Sequence, residues 1–238
     1  MLSALVPCLN EAACVPALEA ALFPALDSLR EPYEVLFVDD GSMDATHAAL
    51  QAVCSRFPKA RLLRHPGNLG IGASLKTGLA AAAGDTLVFL DADLTFAPAL
   101  IARLLEARRE TGADCVSGSP FLGGMPGVPW GRRLPSLMLN AFYRGLFDRR
   151  LSSYTPMFRL YRVADLRALD IASAGFEVSV EVLVKLRRAG RKVVEVPAPL
   201  TSRIHGASKL RRWRELRAHL MLTARLLGCY HIVCGDRD

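Results

Sequence analysis

Compact apolar runs and longer, sparser apolar patterns alternate along the first half of the chain. Runs rich in Val, Leu and Phe occupy 2–6, 34–38, 61–63 and 86–90, a length and composition that suit buried strands. Between and after them, 12–29, 44–56, 71–83 and 98–111 are patterned as helices. Strand alternating with helix predicts an α/β fold with a mostly parallel central sheet and helices on both faces. Ligands of such sheets bind outside the carboxyl ends of the strands. The chemistry is therefore expected in the turns that follow the four runs: "PCLNE" (7–11), "DDGSMDAT" (39–46), "HPGNLGIGAS" (65–74) and "DADLTFAP" (91–98).

Three of these four turns carry acidic residues. A plain phosphate-binding loop would be Gly-rich with a Lys, and neither "GxxxxGK[ST]" nor "GxGxxG" is present. Gly67, Gly70 and Gly72 approach such a loop, and a flexible turn capping a helix reads the same way. Asp91 and Asp93, one residue apart at a strand end, admit two readings. Asp is a common turn former. Alternatively, one carboxylate of an Asp-x-Asp pair can hold Mg²⁺ or Mn²⁺ while the other meets a sugar or ribose hydroxyl. The second acidic turn, Asp39–Asp40, falls on the same sheet edge and favours the metal–phosphate reading.

Composition narrows the class. The 51% hydrophobic and 22% charged content excludes a disordered chain, and 238 residues can bury a substantial core. The six Cys show no C-x-x-C pair, so free thiols in a reducing compartment are expected, with Cys54 and Cys115 in the core. No apolar run is long enough to span a bilayer, and no basic segment precedes "LSALVPCLNE"; a cytoplasmic protein is expected.

The net charge of +7 is unevenly spread. Residues 1–143 hold 11 Lys/Arg against 14 Asp/Glu, a balance of −3, whereas 144–238 hold 19 against 9, a balance of +10. That asymmetry predicts an anionic partner for the second half. No recognition motif supports nucleic acid. The stretch 211–233 alternates at helical spacing, with Trp213, Leu216, Leu220, Leu227 and Tyr230 on one broad face and Arg and His on the other. Such a basic amphipathic helix suits an anionic membrane interface, and a helix packed on the catalytic domain accounts for it equally well.

The ordered turns resemble those of the family 2 glycosyltransferases of the GT-A fold, and most closely the polyprenyl-phosphate glycosyltransferases such as dolichyl-phosphate mannose synthase. "PCLNE" resembles the family's P-x-x-N-E, and "VDDGSMDAT" its V-D-D-G-S-x-D-x-T at every fixed position. "NLGIGASLKTGLAAAAGDTLVFLDADLTFAP", "WGRRLPS", "MFRLYRVADL", "GFEVSVEVLVKLRRAGRKVVEVP" and "SRIHGASKL" follow in family order, so the similarity spans roughly residues 2–215. The resemblance implies a GT-A domain over 1–210 and a basic helical extension over 211–238.

It further implies a nucleoside diphosphate sugar donor, a polyprenyl phosphate acceptor and a divalent cation, Mg²⁺ or Mn²⁺. Pro7, Leu9, Glu11, Val38 and Asp40 would form the nucleotide pocket, with Asp40 on the base. Asp91 and Ala92 would meet the ribose or sugar, and Asp93 the metal. Arg203 and Lys209 would sit near the donor and acceptor phosphates, and Arg132, Arg133 and Ser136 by the acceptor phosphate.

Three positions depart from the family pattern. Thr95 stands where the mannose branch often has a Gln metal ligand, Pro120 replaces an Arg, and "PMF" at 156–158 replaces "SGF". Alternatives therefore stay open: a transferase acting on a hydroxyl, which would need a general base such as Glu177 or Glu181, or a nucleotide-sugar-binding protein without catalysis.

Overall fold

The computed structural model describes residues 1–202 and 212–234. Period-two alternation sorts the strand side chains between two helical layers. In β1 (Leu2–Cys8), Leu2, Ala4 and Val6 join one layer and Leu5 the other. In β2 (Tyr33–Asp39), Tyr33, Val35 and Phe37 join the first, and Leu36 and Val38 the second. Because both faces are covered, these strands read as unbroken apolar runs.

β3 (Ala60–Arg64) and β4 (Thr86–Phe89) complete the first half of the sheet. The connecting helices are α1 (Val15–Ser28), α2 (Thr46–Arg56) and α3 (Ile71–Ala81), followed by α4 (Ile101–Thr111) after one 3₁₀ turn. Leu18 and Leu22 of α1, Leu50 of α2 and Leu104 of α4 pack on one face; Leu75 and Leu79 of α3 pack on the other. The expected elements of this half are all present, their ends displaced by at most three residues.

The second half holds β5 (Cys115–Ser119), a short α5 (Pro120–Gly123), α6 (Trp130–Leu146), β6 (Arg159–Arg162), α7 (Val163–Arg167), α8 (Val178–Arg188), β7 (Val193–Pro197) and α9 (Arg212–Cys234). Among the described residues the sheet order is β3-β2-β1-β4-β6-β5-β7. All pairings are parallel except those of β6, which runs antiparallel to β4 and β5.

Two consequences of this order position the site. The chain winds outward from β1 through β2 to β3, then returns to place β4 on the other side of β1. Between β1 and β4 the direction of winding reverses, which opens a crevice at the carboxyl edge. Antiparallel β6 enters at that same edge, since its first residue, Arg159, lies opposite Phe89 at the end of β4. The segment before β6 is thereby delivered beside the "DAD" turn.

A third apolar cluster joins α6, α8 and α9 through Tyr143, Val180, Leu183, Leu222 and Leu226. In α9 the buried side is His219, Leu222, Thr223 and Leu226. His219, expected on the polar face, is instead covered and hydrogen-bonded to the Tyr143 hydroxyl at 2.8 Å, and its burial lowers the imidazole pKa although Glu177 pulls the other way. Trp213, Leu216, Leu220 and Leu227 face outward. Cys8, Cys14 and Cys115 are buried free thiols, and Cys54 is half-buried against the core.

Candidate active site

A cleft of about 580 Å³ lies over the β1–β4 crevice, with walls supplied by Pro7–Glu11, Asp40, Asn68–Ile71, Asp91–Asp93 and Ala174–Phe176. Four of these walls lie at the carboxyl ends of β1 to β4, and the fifth, Ala174–Phe176, comes from the connection between α7 and α8. Pro7, Leu9, Glu11, Asp40, Asp91, Ala92 and Asp93, separated by up to 86 positions in sequence, are brought together here.

The "VDDGSMDAT" turn divides its work between two aspartates. Asp39 is fully buried and faces away from the cleft, accepting from the Ser42 amide at 2.9 Å and pairing with His47 at 3.1 Å. Asp40 lines the cleft and accepts from the amides of Leu69 and Gly70, both at 2.9 Å, and from His65 Nδ1 at 2.7 Å.

The small polar residues of the same turn brace the β1 loop. Ser42 Oγ accepts from the Asn10 amide, Thr46 Oγ1 from the Glu11 amide, and Asn10 Oδ1 from the Met43 amide, at 2.7–2.9 Å. Gly41 has φ +73°, and a Cβ there would meet the Gly67 carbonyl carbon at 2.3 Å, so only glycine fits.

At "DAD", Asp93 is buried to 6% exposure and one of its oxygens accepts from the Thr95 amide at 3.1 Å. Leu94 between them is left-handed, φ 57°, a conformation that costs a branched L-residue about 1–2 kcal/mol. This kink turns the chain back toward Thr201, whose amide donates to the Thr95 carbonyl at 2.9 Å.

The far wall, 172–176, is held by two glutamates. Glu181 is fully buried and accepts from the Ala172 amide at 3.1 Å, the Ser173 amide at 2.7 Å and Lys185 Nζ at 2.7 Å. Burial by itself would raise its pKa, but the hydrogen bonds from Lys185, Ser173 and the two amides outweigh it and hold the carboxyl down to about 2. Glu177 accepts from the Gly175 amide at 3.2 Å. Neither glutamate lines the cleft. Both brace a wall.

A second cavity of about 180 Å³ adjoins the first, sharing Asp91 and Phe176. Its other walls are Thr95, Phe96, Pro120, Ser136, Thr155, Pro156, Met157 and Leu200. The three family departures, Thr95, Pro120 and the 156–158 segment, thus meet in one place. Asn140 of α6 ties this wall together, donating to Thr155 Oγ1 at 3.0 Å and accepting from the Tyr154 amide at 2.6 Å.

Other expected site residues fall elsewhere. Val38 is a fully buried side chain in the core beside Leu36 and Leu75, beneath the cleft rather than in its wall. Arg133 donates to the carbonyls of Val128 and Met125 and lies over the Trp130 ring, capping the loop before α6. Arg203 and Lys209 lie outside the described residues, as does the side chain of Arg132. Glu215 of α9 lines the cleft. It was missed because a lone acid inside "RRWRELR" reads as part of a solvated charge run.

A divalent cation fits this donor set in one specific sense. No cluster of three metal-ligating side chains occurs among the described residues. A hard cation held through one or two carboxylates, with the remaining positions filled by substrate phosphates and water, needs no such cage. Asp93, with Asp91 two residues before it in the same wall, supplies that minimal set.

The chain matches the family model "Glycosyl transferase family 2" over residues 3–170. It is 31% identical over 245 residues to the undecaprenyl-phosphate mannosyltransferase of Micrococcus luteus, covering 92% of this chain and 98% of that protein. It is also 30% identical over 213 residues to the dolichol-phosphate mannosyltransferase of Pyrococcus furiosus, covering 88% of this chain but spanning only 59% of that protein's length.

Among solved structures, glucosyl-3-phosphoglycerate synthase of Mycobacterium tuberculosis with Mn²⁺, UDP-glucose and phosphoglyceric acid superposes with a TM-score of 0.69 at 22% identity, covering 100% of this chain and 81% of that one. At that identity the likeness is one of fold.

Proposed function

This chain belongs to glycosyl transferase family 2, and from that premise we propose that it moves a hexosyl group, with inversion, from a nucleoside diphosphate sugar to a polyprenyl phosphate. The observation that carries the reading is the single cleft that gathers Asp40, Asp91 and Asp93 at the β1–β4 crevice. In this reading Asp40 takes the base, and Pro7, Leu9 and Glu11 pack about the nucleoside. Asp91 and Ala92 meet the ribose or sugar, and Asp93 holds Mg²⁺ or Mn²⁺. The bound cation supplies charge stabilisation for a departing diphosphate. Arg203 and Lys209 are proposed to face the phosphates, and Arg132 and Ser136 the acceptor, with Arg133 holding the loop before α6.

The acceptor oxygen attacks the anomeric carbon from the side opposite the diphosphate, so no covalent enzyme intermediate is required. A phosphate is already ionised at neutral pH and needs no general base. That agrees with neither Glu177 nor Glu181 lining the cleft. The names of the two curated relatives support the same acceptor class.

Residues 1–210 act as the catalytic domain and 211–238 as its helical extension. The protein works at the cytoplasmic face of a membrane, attached peripherally. Among the described residues no helix is long and apolar enough to cross a membrane. α6 instead exposes Trp130, Leu134, Met138 and Phe142 at four-residue spacing on its outer side, while Ser136 on the same helix lines the second cavity. Arg144, Arg149 and Arg150 follow close by.

The test is incubation with a panel of nucleoside diphosphate sugars and Mn²⁺ or Mg²⁺, with and without a short polyprenyl phosphate. Nucleoside diphosphate release that requires the lipid phosphate, with a glycosylated lipid recovered, is the expected result. Equal or faster turnover on a hydroxyl acceptor would overturn the acceptor assignment.

A further inference from the structure

A carboxylate offers about four acceptor positions, two on each oxygen. Three of those on Asp40 are taken inside the protein. Oδ1 receives His65 Nδ1 at 2.7 Å and the Leu69 amide at 2.9 Å, and Oδ2 receives the Gly70 amide at 2.9 Å. One position remains, on Oδ2. His65 is itself buried and fixed at both ends. Its Nε2 pairs with Thr77 Oγ1 of α3 at 2.9 Å, and its backbone amide donates to the Asp39 carbonyl at 2.9 Å. With the Nδ1 proton directed at Asp40, Nε2 accepts from the Thr77 hydroxyl. His65 does not line the cleft, so whatever it does to a ligand passes through Asp40.

We infer that His65 is a positioning residue that sets the nucleobase preference of the donor site, leaving Asp40 one acceptor position suited to the single imide N–H of uracil or thymine. The inference rests on the nucleotide-sugar reading above. Guanine presents two adjacent donors, N1–H and the N2 amino group, which pair a carboxylate through both oxygens. With both positions on Oδ1 filled by His65 and Leu69, that two-point contact is blocked. Cytosine turns an unprotonated ring nitrogen toward the carboxylate, which sets acceptor against acceptor. A uracil or thymine base presents a single donor on that edge, its N3–H, which matches the one open acceptor position. The same two backbone amides that hold Asp40 belong to the loop "NLGIG" that lines the cleft, so the carboxylate cannot rotate to offer its other edge without breaking all three bonds.

The test is calorimetric titration of the full chain with UDP, GDP and CDP in the presence of Mn²⁺, for the native protein and for His65→Asn and His65→Leu. UDP is expected to bind the native protein at least tenfold more tightly than GDP or CDP. His65→Asn keeps an N–H close to the Nδ1 position and should keep that preference. His65→Leu releases a position on Oδ1, and the UDP-to-GDP ratio should fall at least fivefold. A role confined to folding would weaken every nucleotide alike and leave the ratio unchanged in His65→Leu, which would overturn the inference. So would GDP binding the native protein as tightly as UDP. Either result leaves the donor reading standing, whereas no binding of any nucleoside diphosphate would overturn both.

Discussion

Asp93 and Glu181 are both buried carboxylates within the "DAD" and "GFEVSVE" segments, and their partners give them different tasks. Asp93 stands in the cleft wall with one oxygen fixed by the Thr95 amide. Asp93→Asn keeps the shape and removes the charge, so turnover should fall at least a hundredfold, about 2.7 kcal/mol of transition-state stabilisation, with thermal stability little changed. Steady-state rates at saturating Mn²⁺, read beside a melting curve, check this; near-native rates would remove Asp93 from the metal role. Glu181 has its carboxyl held down to about 2 from an ordinary 4.5. A depressed folded-state value means the unfolded state binds the proton first, so the stabilisation is complete above about pH 4.5 and is lost as pH falls toward 2. The span corresponds to roughly 3 kcal/mol. Glu181→Gln should lower stability at pH 7 by that order and flatten the acid limb between pH 4.5 and 2; denaturation series across that window that match the native protein would refute it. At this scale the sequence was readable where chemistry requires one residue type: Asp40, Asp91 and Asp93 all reach the cleft. It was less readable where orientation decides. Val38 precedes Asp40 by two positions, and its side chain points into the helical layer beside Leu36.

α3 and the 172–176 segment meet at a contact with no room for a side chain. The Gly72 amide donates to the Ala174 carbonyl at 2.7 Å, and a Cβ on Gly72 would lie 2.3 Å from the Ser173 carbonyl oxygen. Ser173 is also held from below by Glu181 and from α9 by Arg225 at 3.1 Å, so the wall cannot yield cheaply. Gly72→Ala should therefore cost about 1–3 kcal/mol, as overpacking does, and should raise the donor KM several-fold because the displaced segment lines the cleft. Unchanged melting and unchanged KM together would show that the wall moves freely. Elements of the first half were legible because each strand is covered on both faces and each connection is a single helix. The second half was not, for a topological reason. β6 enters antiparallel, so the residues that reach the site come before the strand rather than after it, and a search of the turns following strands passes over Thr155–Met157. Glu215 escaped for a similar reason, since only the packing of α9 against α6 and α8 brings it to the cleft.

At the scale of the molecule, charge and exposed apolar surface coincide. The +10 balance of residues 144–238 includes α9, and α9 packs against α6 through Tyr143 and His219. Each helix presents apolar side chains outward: Trp130, Leu134, Met138 and Phe142 on α6, and Trp213, Leu216, Leu220 and Met221 on α9. The first of these stripes was invisible to a reading that placed the membrane face on 211–233 alone. Both tryptophans of the chain lie on these helices, at 73% and 85% exposure, so intrinsic fluorescence reports the surface directly. Basic residues near an anionic bilayer contribute about 1 kcal/mol each, and the attraction decays within about 10 Å at 0.1 M salt. The protein should therefore cosediment with phosphatidylglycerol-containing vesicles at low salt, release as salt is raised, and bind neutral phosphatidylcholine vesicles weakly. Binding should shift tryptophan emission to the blue, because the indoles leave water. Leu134→Ser with Met138→Ser removes apolar area from the middle of the α6 stripe without touching the charge. That variant should retain the salt dependence while binding at least fivefold more weakly. If anionic vesicles neither shift the emission nor carry the protein down at low salt, peripheral attachment fails and a soluble acceptor becomes the better reading. If the double variant binds as well as the native protein, α6 is not the face that enters the bilayer, and attachment would rest on charge and on α9.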